Sequence, residues 1–156
     1  MSVPTTDRTP SAITLFTIGF TGHSAEEFFT KLQQAGVETL FDVRLNNVSQ
    51  LAGFSKKKDL QYFLKVITGI DYVHDRNLAP TKDILDDYKK GRIGWPEYAE
   101  RFNRLLAERN PEAHLTRNDL DHGCLLCSEH EYQHCHRRLV TEYLERRWPE
   151  VRVVHL

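Results

Sequence analysis

Residues 124–138, which read CLLCSEHEYQHCHRR, decide how the chain folds. With Gly123 before it, the apolar run that ends at Cys127 predicts a buried β-strand. A polar loop follows, and from His136 onward the apolar residues return at helical spacing. A buried strand that leads through a loop into a helix is the repeating unit of α/β proteins, and this one contains all three cysteines of the chain.

The rest of the chain repeats this alternation of strand and helix. Apolar and β-branched runs predict four more strands, at residues 13–18, 39–44, 70–74 and 151–155, and segments of helical periodicity separate them. Strands separated by helices favour a mainly parallel sheet, because the crossover helices cover both of its faces. The predicted fold class is therefore α/β, a single three-layer domain with a mainly parallel sheet of about five strands.

Composition limits the class of protein. The chain has 156 residues, enough for one domain with a buried core, and residues 12–156 are predicted to form it. A formal net charge of −1 and a hydrophobic fraction of 40% are typical of a globular protein without a general attraction to nucleic acid. Residues 1–11 combine prolines and charges without an apolar core, so they predict a disordered tail rather than a signal peptide.

The cysteines indicate the compartment in which the protein works. Their number is odd, they lie close together, and no secretory signal precedes them, so reduced thiols are expected. The apolar runs are far too short to span a bilayer. We therefore expect a cytoplasmic protein without a membrane partner.

Polar residues follow four of the predicted strands. In open parallel sheets, ligands bind outside the carboxyl ends of the strands, and these ends meet at one edge. The sequence therefore predicts a site at this edge. The residues placed there are His23, Asp42, Arg44, His74, Cys127 and Glu129.

The three cysteines differ in the chemistry open to them. Cys124 and Cys127 are three apart on a strand and face opposite sides, so Cys124 is predicted to be a core residue. Cys127 at the strand end and Cys135 at the helix start are candidate nucleophiles, because the amino end of a helix lowers the pKa of a thiol. The same two thiols could form a regulatory disulfide, or they could simply pack in the core.

The residues around these thiols could move protons or hold a metal ion. His136 can act as an acid, a base or a ligand near neutral pH, and Asp42 and Glu129 are candidate proton carriers. In an alternative interpretation, Cys127, Cys135 and His136 bind a transition metal. Glu129 could then serve as a further ligand.

Two arginines are candidates for binding an anion. Arg44 and Arg137 could clamp a phosphate or a carboxylate, since guanidinium groups bind such oxygens in pairs. Alternatively, Asp42 or Glu129 pairs with one of these arginines and links two strand ends.

Two further features could contact an anion. His23 and Ser24 follow a Gly-x-x-Gly turn, which can hold an anion through its backbone. Lys56, Lys57 and Lys58 open a predicted helix, where positive charge opposes the helix dipole and therefore suggests a nearby phosphate. A solvated run of charge is the alternative explanation of these lysines.

Several short motifs, taken in their order along the chain, resemble the family known as domain of unknown function 488. The resemblance implies a Rossmann-like α/β fold with the shared residues at the strand ends, and it implies no reaction. A related branch lacks the cysteines, which favours Asp42 and Arg44 as the more general site residues. The motifs are Thr17-Ile18-Gly19 with His23-Ser24, Asp42-Val43-Arg44, Leu125-Leu126-Cys127-Ser128-Glu129, Cys135-His136-Arg137 and Val153-Val154-His155.

The leading hypothesis is an enzyme-like domain that binds a phosphate-containing ligand, a nucleotide or a nucleic-acid end, at the strand ends. Its expected catalytic residues are Cys127, Cys135, His136, Glu129 and Asp42, and its expected ligand-binding residues are Arg44, Arg137, His23, Ser24, Lys56 and Lys57. One alternative is a transition-metal or redox module that uses Cys127, Cys135 and His136. The other is a nucleic-acid-binding protein without catalysis. The sequence indicates neither a cofactor nor an oligomeric state.

Overall fold

A five-stranded, all-parallel sheet forms the centre of the protein in the computed structural model, which describes residues 12–46, 56–129 and 131–156. The predicted α/β fold is confirmed, whereas the predicted tail at residues 1–11 and most of the predicted loop, residues 47–55, lie outside the described ranges. The spatial order is β3-β2-β4-β1-β5. The strands are β1 (Ile13–Gly19), β2 (Thr39–Asp42), β3 (Asp71–His74), β4 (Gly123–Cys127) and β5 (Val151–His155).

Helices connect the strands, and local sequence signals set where they begin and end. The Ser24 hydroxyl accepts a hydrogen bond from the Glu27 backbone amide at 3.1 Å and so caps the first helix, which ends at Gly36 with a φ of 77°. The helices are α1 (Ala25–Ala35), α2 (Lys57–Phe63, extended by a π-helical turn over Leu64–Thr68), α3 (Lys82–Lys89), α4 (Trp95–Arg109), α5 (Arg117–Leu120) and α6 (His136–Arg147). None of the helices in the described ranges is long and apolar enough to cross a membrane.

The helices form one layer on each face of the sheet and enclose two separate hydrophobic cores. Side chains of α1 and α2 pack on one face, and side chains of α3, α4 and α6 pack on the other. Along β4, Cys124 contributes to the first core and Cys127 to the second. The predicted separation of these two cysteines is thus correct, and Cys124 is a fully buried core residue.

The strand order explains where a site can form. β4 lies between β1 and β2, in a register that pairs Cys127 with Gly19 and Leu126 with Asp42. The helix after β1 covers one face and the helix after β4 covers the other, so the chain leaves these neighbouring strands in opposite directions. A crevice opens at the carboxyl ends of strands that diverge in this way.

We expect Ser24→Ala to lower the free energy of unfolding by about 1 kcal/mol, because the substitution removes the cap of α1. Urea denaturation of the full chain measures this change. Thr30→Ala, at an exposed position within the same helix, is the control and should not lower the free energy of unfolding, because alanine is the better helix former. Equal midpoints for the wild type and Ser24→Ala would show that the cap contributes nothing.

Candidate functional site

A cavity of about 650 Å³ opens at the carboxyl edge of the sheet. Its wall is formed by the loop after β1, the residues after β2, the helices α3 and α4, and the loop between β4 and α6. Residues from three strand ends thus meet in one cavity. The predicted site residues that line it are His23, Arg44, Cys127, Glu129, Cys135 and His136.

Two buried thiols lie side by side in the wall of this cavity. Cys127 is the last residue of β4, and Cys135 is the residue that precedes the first turn of α6. The two side chains line the same cavity, close enough for each to change the acidity of the other. The Arg137 guanidinium donates to the Cys127 sulfur, at 3.0 Å from Nη1.

These contacts give the two thiols opposite acidities. Burial by itself would raise the pKa of Cys127, but the hydrogen bond from Cys135 and the charge of Arg137 outweigh it and lower that pKa. Burial raises the pKa of Cys135 well above its ordinary value, and its role as donor to Cys127 raises it further. Of the two thiols, Cys127 is therefore the one that ionises first as the pH rises.

The Arg137 side chain is held in place by a backbone carbonyl and by a close approach to a glycine. Its Nη1 donates to the Glu129 carbonyl as well as to the thiol. A Cβ atom at Gly19 would lie 1.6 Å from that carbonyl oxygen and 2.6 Å from Arg137 Nη1. Only glycine fits at this position, although its φ is ordinary, because the end of β1 touches the loop that leaves β4.

Backbone hydrogen bonds continue the pairing of β1 and β4 beyond the strands. The Phe20 amide donates to the Cys127 carbonyl at 3.3 Å, and the Thr21 amide donates to the Ser128 carbonyl at 3.2 Å. The start of the thiol-bearing loop is therefore part of the sheet ladder.

His136 is fixed in one tautomer. Its Nε2 lies 2.6 Å from the carbonyl oxygen of Val43, which can only accept, so Nε2 carries the proton. Nδ1 is then the unprotonated nitrogen, and it lies 3.9 Å from the Cys135 sulfur. Burial lowers the pKa of His136 to about 4, so at neutral pH the ring is uncharged and Nδ1 can accept a hydrogen bond.

Asp42 and Arg44 form a buried ion pair. Arg44 Nε donates to Asp42 Oδ1 and Arg44 Nη2 donates to Asp42 Oδ2, both at 2.8 Å. The Tyr72 hydroxyl also donates to Oδ2. Burial would raise the pKa of Asp42, but the hydrogen bonds and charge of Arg44 outweigh it and lower that pKa. Asp42 thus positions Arg44, whose guanidinium lies over the Phe20 ring. The sequence alternative, in which a carboxylate pairs with an arginine, describes this contact in part, because both residues lie at the end of β2 and the pair does not link two strand ends.

Several predicted residues lie outside the cavity wall. Ser24 caps α1, and Lys56 and Lys57 are exposed at the start of α2. His74 donates from Nε2 to the Arg44 carbonyl at 2.9 Å. His23 does line the cavity, but its Nδ1 donates to the Gly19 carbonyl at 2.8 Å, which fixes the turn after β1.

Sequence patterns did not indicate the part of the wall that α3 and α4 supply. Tyr88, Lys89 and Tyr98 line the cavity, yet their spacing is that of ordinary amphipathic helices. His134 also lines the cavity, and its ring stacks on Trp95 with centroids 5.0 Å apart. The one available signal was the density of aromatic residues in α3 and α4, which is equally typical of a core.

The donor atoms in the described part of this site are not arranged as a metal centre. Within residues 12–46, 56–129 and 131–156, no group of three or more His, Cys, Asp and Glu side chains is arranged to hold one. Two of the residues considered as metal ligands make hydrogen bonds within the protein. The Cys127 sulfur accepts from Arg137, and His136 Nε2 donates to the Val43 carbonyl.

The fold and the site together define a class: three-layer α/β proteins that hold a cysteine–arginine pair at the carboxyl ends of parallel strands. Within that class, the chain belongs to the family described as Domain of unknown function DUF488, whose model matches residues 24–144. The resemblance inferred from the motifs is thereby confirmed. A search of curated proteins and a search of solved structures found no match.

We expect Gly19→Ala to lower the free energy of unfolding by about 3 kcal/mol, because the added methyl overlaps the Glu129 carbonyl and displaces Arg137. Urea denaturation measures this loss. Gly94→Ala is the matched control, since its Cβ would meet only the ring of Pro96 at 3.6 Å. A similar, small loss in both variants would contradict the close approach at Gly19.

The pH dependence of alkylation should report the pKa of Cys127. Only the thiolate reacts with iodoacetamide, so the rate should rise with pH through a midpoint below the ordinary thiol value of about 8.5. Arg137→Met should raise this midpoint by about one unit or more, because it removes the neighbouring positive charge. Arg138→Met, next to it on α6, should leave the midpoint unchanged. Coinciding midpoints in the two variants would count against the pairing of Arg137 with the thiolate.

Proposed function

We propose that this protein is an enzyme-like domain that binds a phosphate-containing ligand, a nucleotide or a nucleic-acid end, in the cavity at the strand ends. Cys127 is its reactive thiol. The observation that carries the proposal is the position of the Cys127 sulfur, in the cavity wall and 3.0 Å from Arg137 Nη1. A thiol paired with a buried cation is activated as a nucleophile at neutral pH.

The groups around Cys127 have roles that suit nucleophilic chemistry. Cys135 lies beside Cys127 in the cavity wall, and His136 offers an unprotonated Nδ1 at 3.9 Å from the Cys135 sulfur. A proton can therefore be held at the Cys135 sulfur and accepted at the imidazole. Glu129 lies exposed in the same wall and is the carboxylate closest in sequence to the thiol, which supports its role as a proton carrier.

The charges and surfaces of the cavity support a phosphate-containing ligand. Among the described residues of its wall, Lys89 and Arg44, which is paired with Asp42, are the cationic side chains, and Glu129 is the carboxylate. Because Asp42 holds Arg44 in a fixed orientation, that cation needs no reorganisation when a ligand binds. The rings of Tyr88 and Tyr98 supply apolar surface on which a nucleotide base fits.

A reactive thiol of this kind needs a reducing environment. All three cysteines are free thiols, which supports the cytoplasmic location expected from the sequence.

Protection of Cys127 from iodoacetamide tests the proposal. Inorganic phosphate and adenosine monophosphate should both slow the alkylation of the full chain, and the nucleotide should act at lower concentration because its base adds contacts. Lys89→Gln should raise both dissociation constants about tenfold, since one charged contact is lost. Intact-mass measurement of the alkylated fraction gives the rates.

The neighbouring residue provides the control for this experiment. Lys90 lies next to Lys89 but is not part of the cavity wall, so Lys90→Gln should bind both probes as the wild type does. Alkylation that neither probe slows, even at millimolar concentration, would refute the phosphate-binding proposal and leave the acidity of Cys127 untouched.

A further inference from the structure

Cys135 lies where it can react with Cys127. The two thiols come from different elements, the end of β4 and the start of α6, and both contribute to the same hydrophobic core. Cys124 belongs to the core on the opposite face of the sheet and cannot compete with either of them. The chain therefore contains one adjacent pair of thiols and one isolated thiol.

Cys127 and Cys135 belong to the same hydrophobic core and line the same cavity, so their sulfurs lie on one side of the sheet and near each other. A disulfide requires an S–S distance of about 2.05 Å and cysteines on backbones that are close together. The loop between the two residues is short, so closing it costs little chain entropy. Arg137 would remain beside the sulfur, because the Glu129 carbonyl also binds its Nη1.

We propose that Cys127 and Cys135 form an oxidisable dithiol, in which a hydroperoxide oxidises Cys127 and Cys135 then closes a Cys127–Cys135 disulfide. The inference rests on the reactive Cys127 of the proposed function and not on its phosphate ligand. It assigns the site a second class of substrate, small hydroperoxides, and assigns Cys135 the role of the resolving thiol.

The two steps balance as follows. The Cys127 sulfur attacks one oxygen of the hydroperoxide and the O–O bond breaks. The leaving oxygen takes the proton that the Cys127 thiol has given up, and a sulfenic acid remains on Cys127. The Cys135 sulfur then attacks the Cys127 sulfur, the S–O bond breaks, and the hydroxide leaves with the proton of Cys135 as water. Two electrons pass from the thiols to the peroxide, and an external dithiol restores them.

The surroundings set the order of the two steps. Arg137 contacts Cys127, so this sulfur reacts first, while Cys135 keeps its proton. Once Cys127 carries an oxygen, the negative charge that opposes ionisation of Cys135 is gone. His136 Nδ1, 3.9 Å from the Cys135 sulfur, is then available to accept the proton.

The test treats the reduced full chain with one equivalent of hydrogen peroxide and follows free thiols and intact mass. We expect the loss of two thiols per chain, a mass loss of two hydrogens, and a cross-linked peptide that contains Cys127 and Cys135. Dithiothreitol should restore both thiols. Cys124→Ala should behave as the wild type, because that thiol lies in the other core.

Serine variants separate the two roles and preserve the shape of the site. Cys135→Ser should leave Cys127 as a sulfenic or sulfinic acid, with a gain of oxygen and no cross-link. Cys127→Ser should lose no thiol under the same conditions. Stable oxygen addition to Cys127 in the wild type, or a cross-link that includes Cys124, would overturn the inference.

Alkylation distinguishes a failure of this inference from a failure of the proposed function. Fast alkylation of Cys127 without a peroxide-dependent disulfide would refute the dithiol alone. If the alkylation rate of Cys127 rises with pH through the midpoint of a free thiol, the reactive thiol on which both proposals rest is refuted. If phosphate does not slow the alkylation of Cys127 but peroxide still forms the disulfide, only the phosphate ligand is refuted.

Discussion

A positive charge buried beneath the ends of the central strands is the constraint on which the rest of the site depends. Arg137 is 1% exposed, and a guanidinium cannot shed its proton to escape burial. A buried cation is tolerated only when an anion and hydrogen-bond acceptors surround it. The Cys127 sulfur and the Glu129 carbonyl fill these roles, and the absence of a side chain at Gly19 leaves room for them. The acidity of the thiol is thus a consequence of how a charge is accommodated in the fold.

Polar contacts fix the end of β2 and connect it to α6. Arg44 and Asp42 pair at the end of β2, and His136 reaches from α6 to the carbonyl of Val43 just after the same strand. Asp42 and Arg44 are buried, His136 is partly buried, and all three make hydrogen bonds within the protein, so a different local arrangement would leave a charge or a polar atom with less compensation. Such networks favour a single geometry, which is what a site needs if it is to hold reacting groups ready before a ligand arrives.

Much of the fold was predictable because it follows from local patterns. The runs at residues 123–127 and 151–155 are the strands that periodicity indicated, and the opposite burial of Cys124 and Cys127 followed from strand geometry alone. The pairings were harder, because they join residues far apart in sequence. Tyr72 reaches Asp42 across thirty positions, His136 reaches Val43 across ninety-three, and the fit of Gly19 depends on the path of a loop after residue 127. The cavity wall from α3 and α4 was missed because a helix face that lines a cavity has the same periodicity as one that lines a core.

The continued pairing of the loops after β1 and β4 links access to the site with the stability of the sheet. The amides of Phe20 and Thr21 are the last donors of that ladder, and their acceptors belong to Cys127 and to the residue after it. Any opening that moves the thiol-bearing loop outward must break these bonds first. The rate of hydrogen exchange at the two amides would therefore measure how often the loop opens. The free energy of that opening would limit how freely a bulky substrate can enter the cavity.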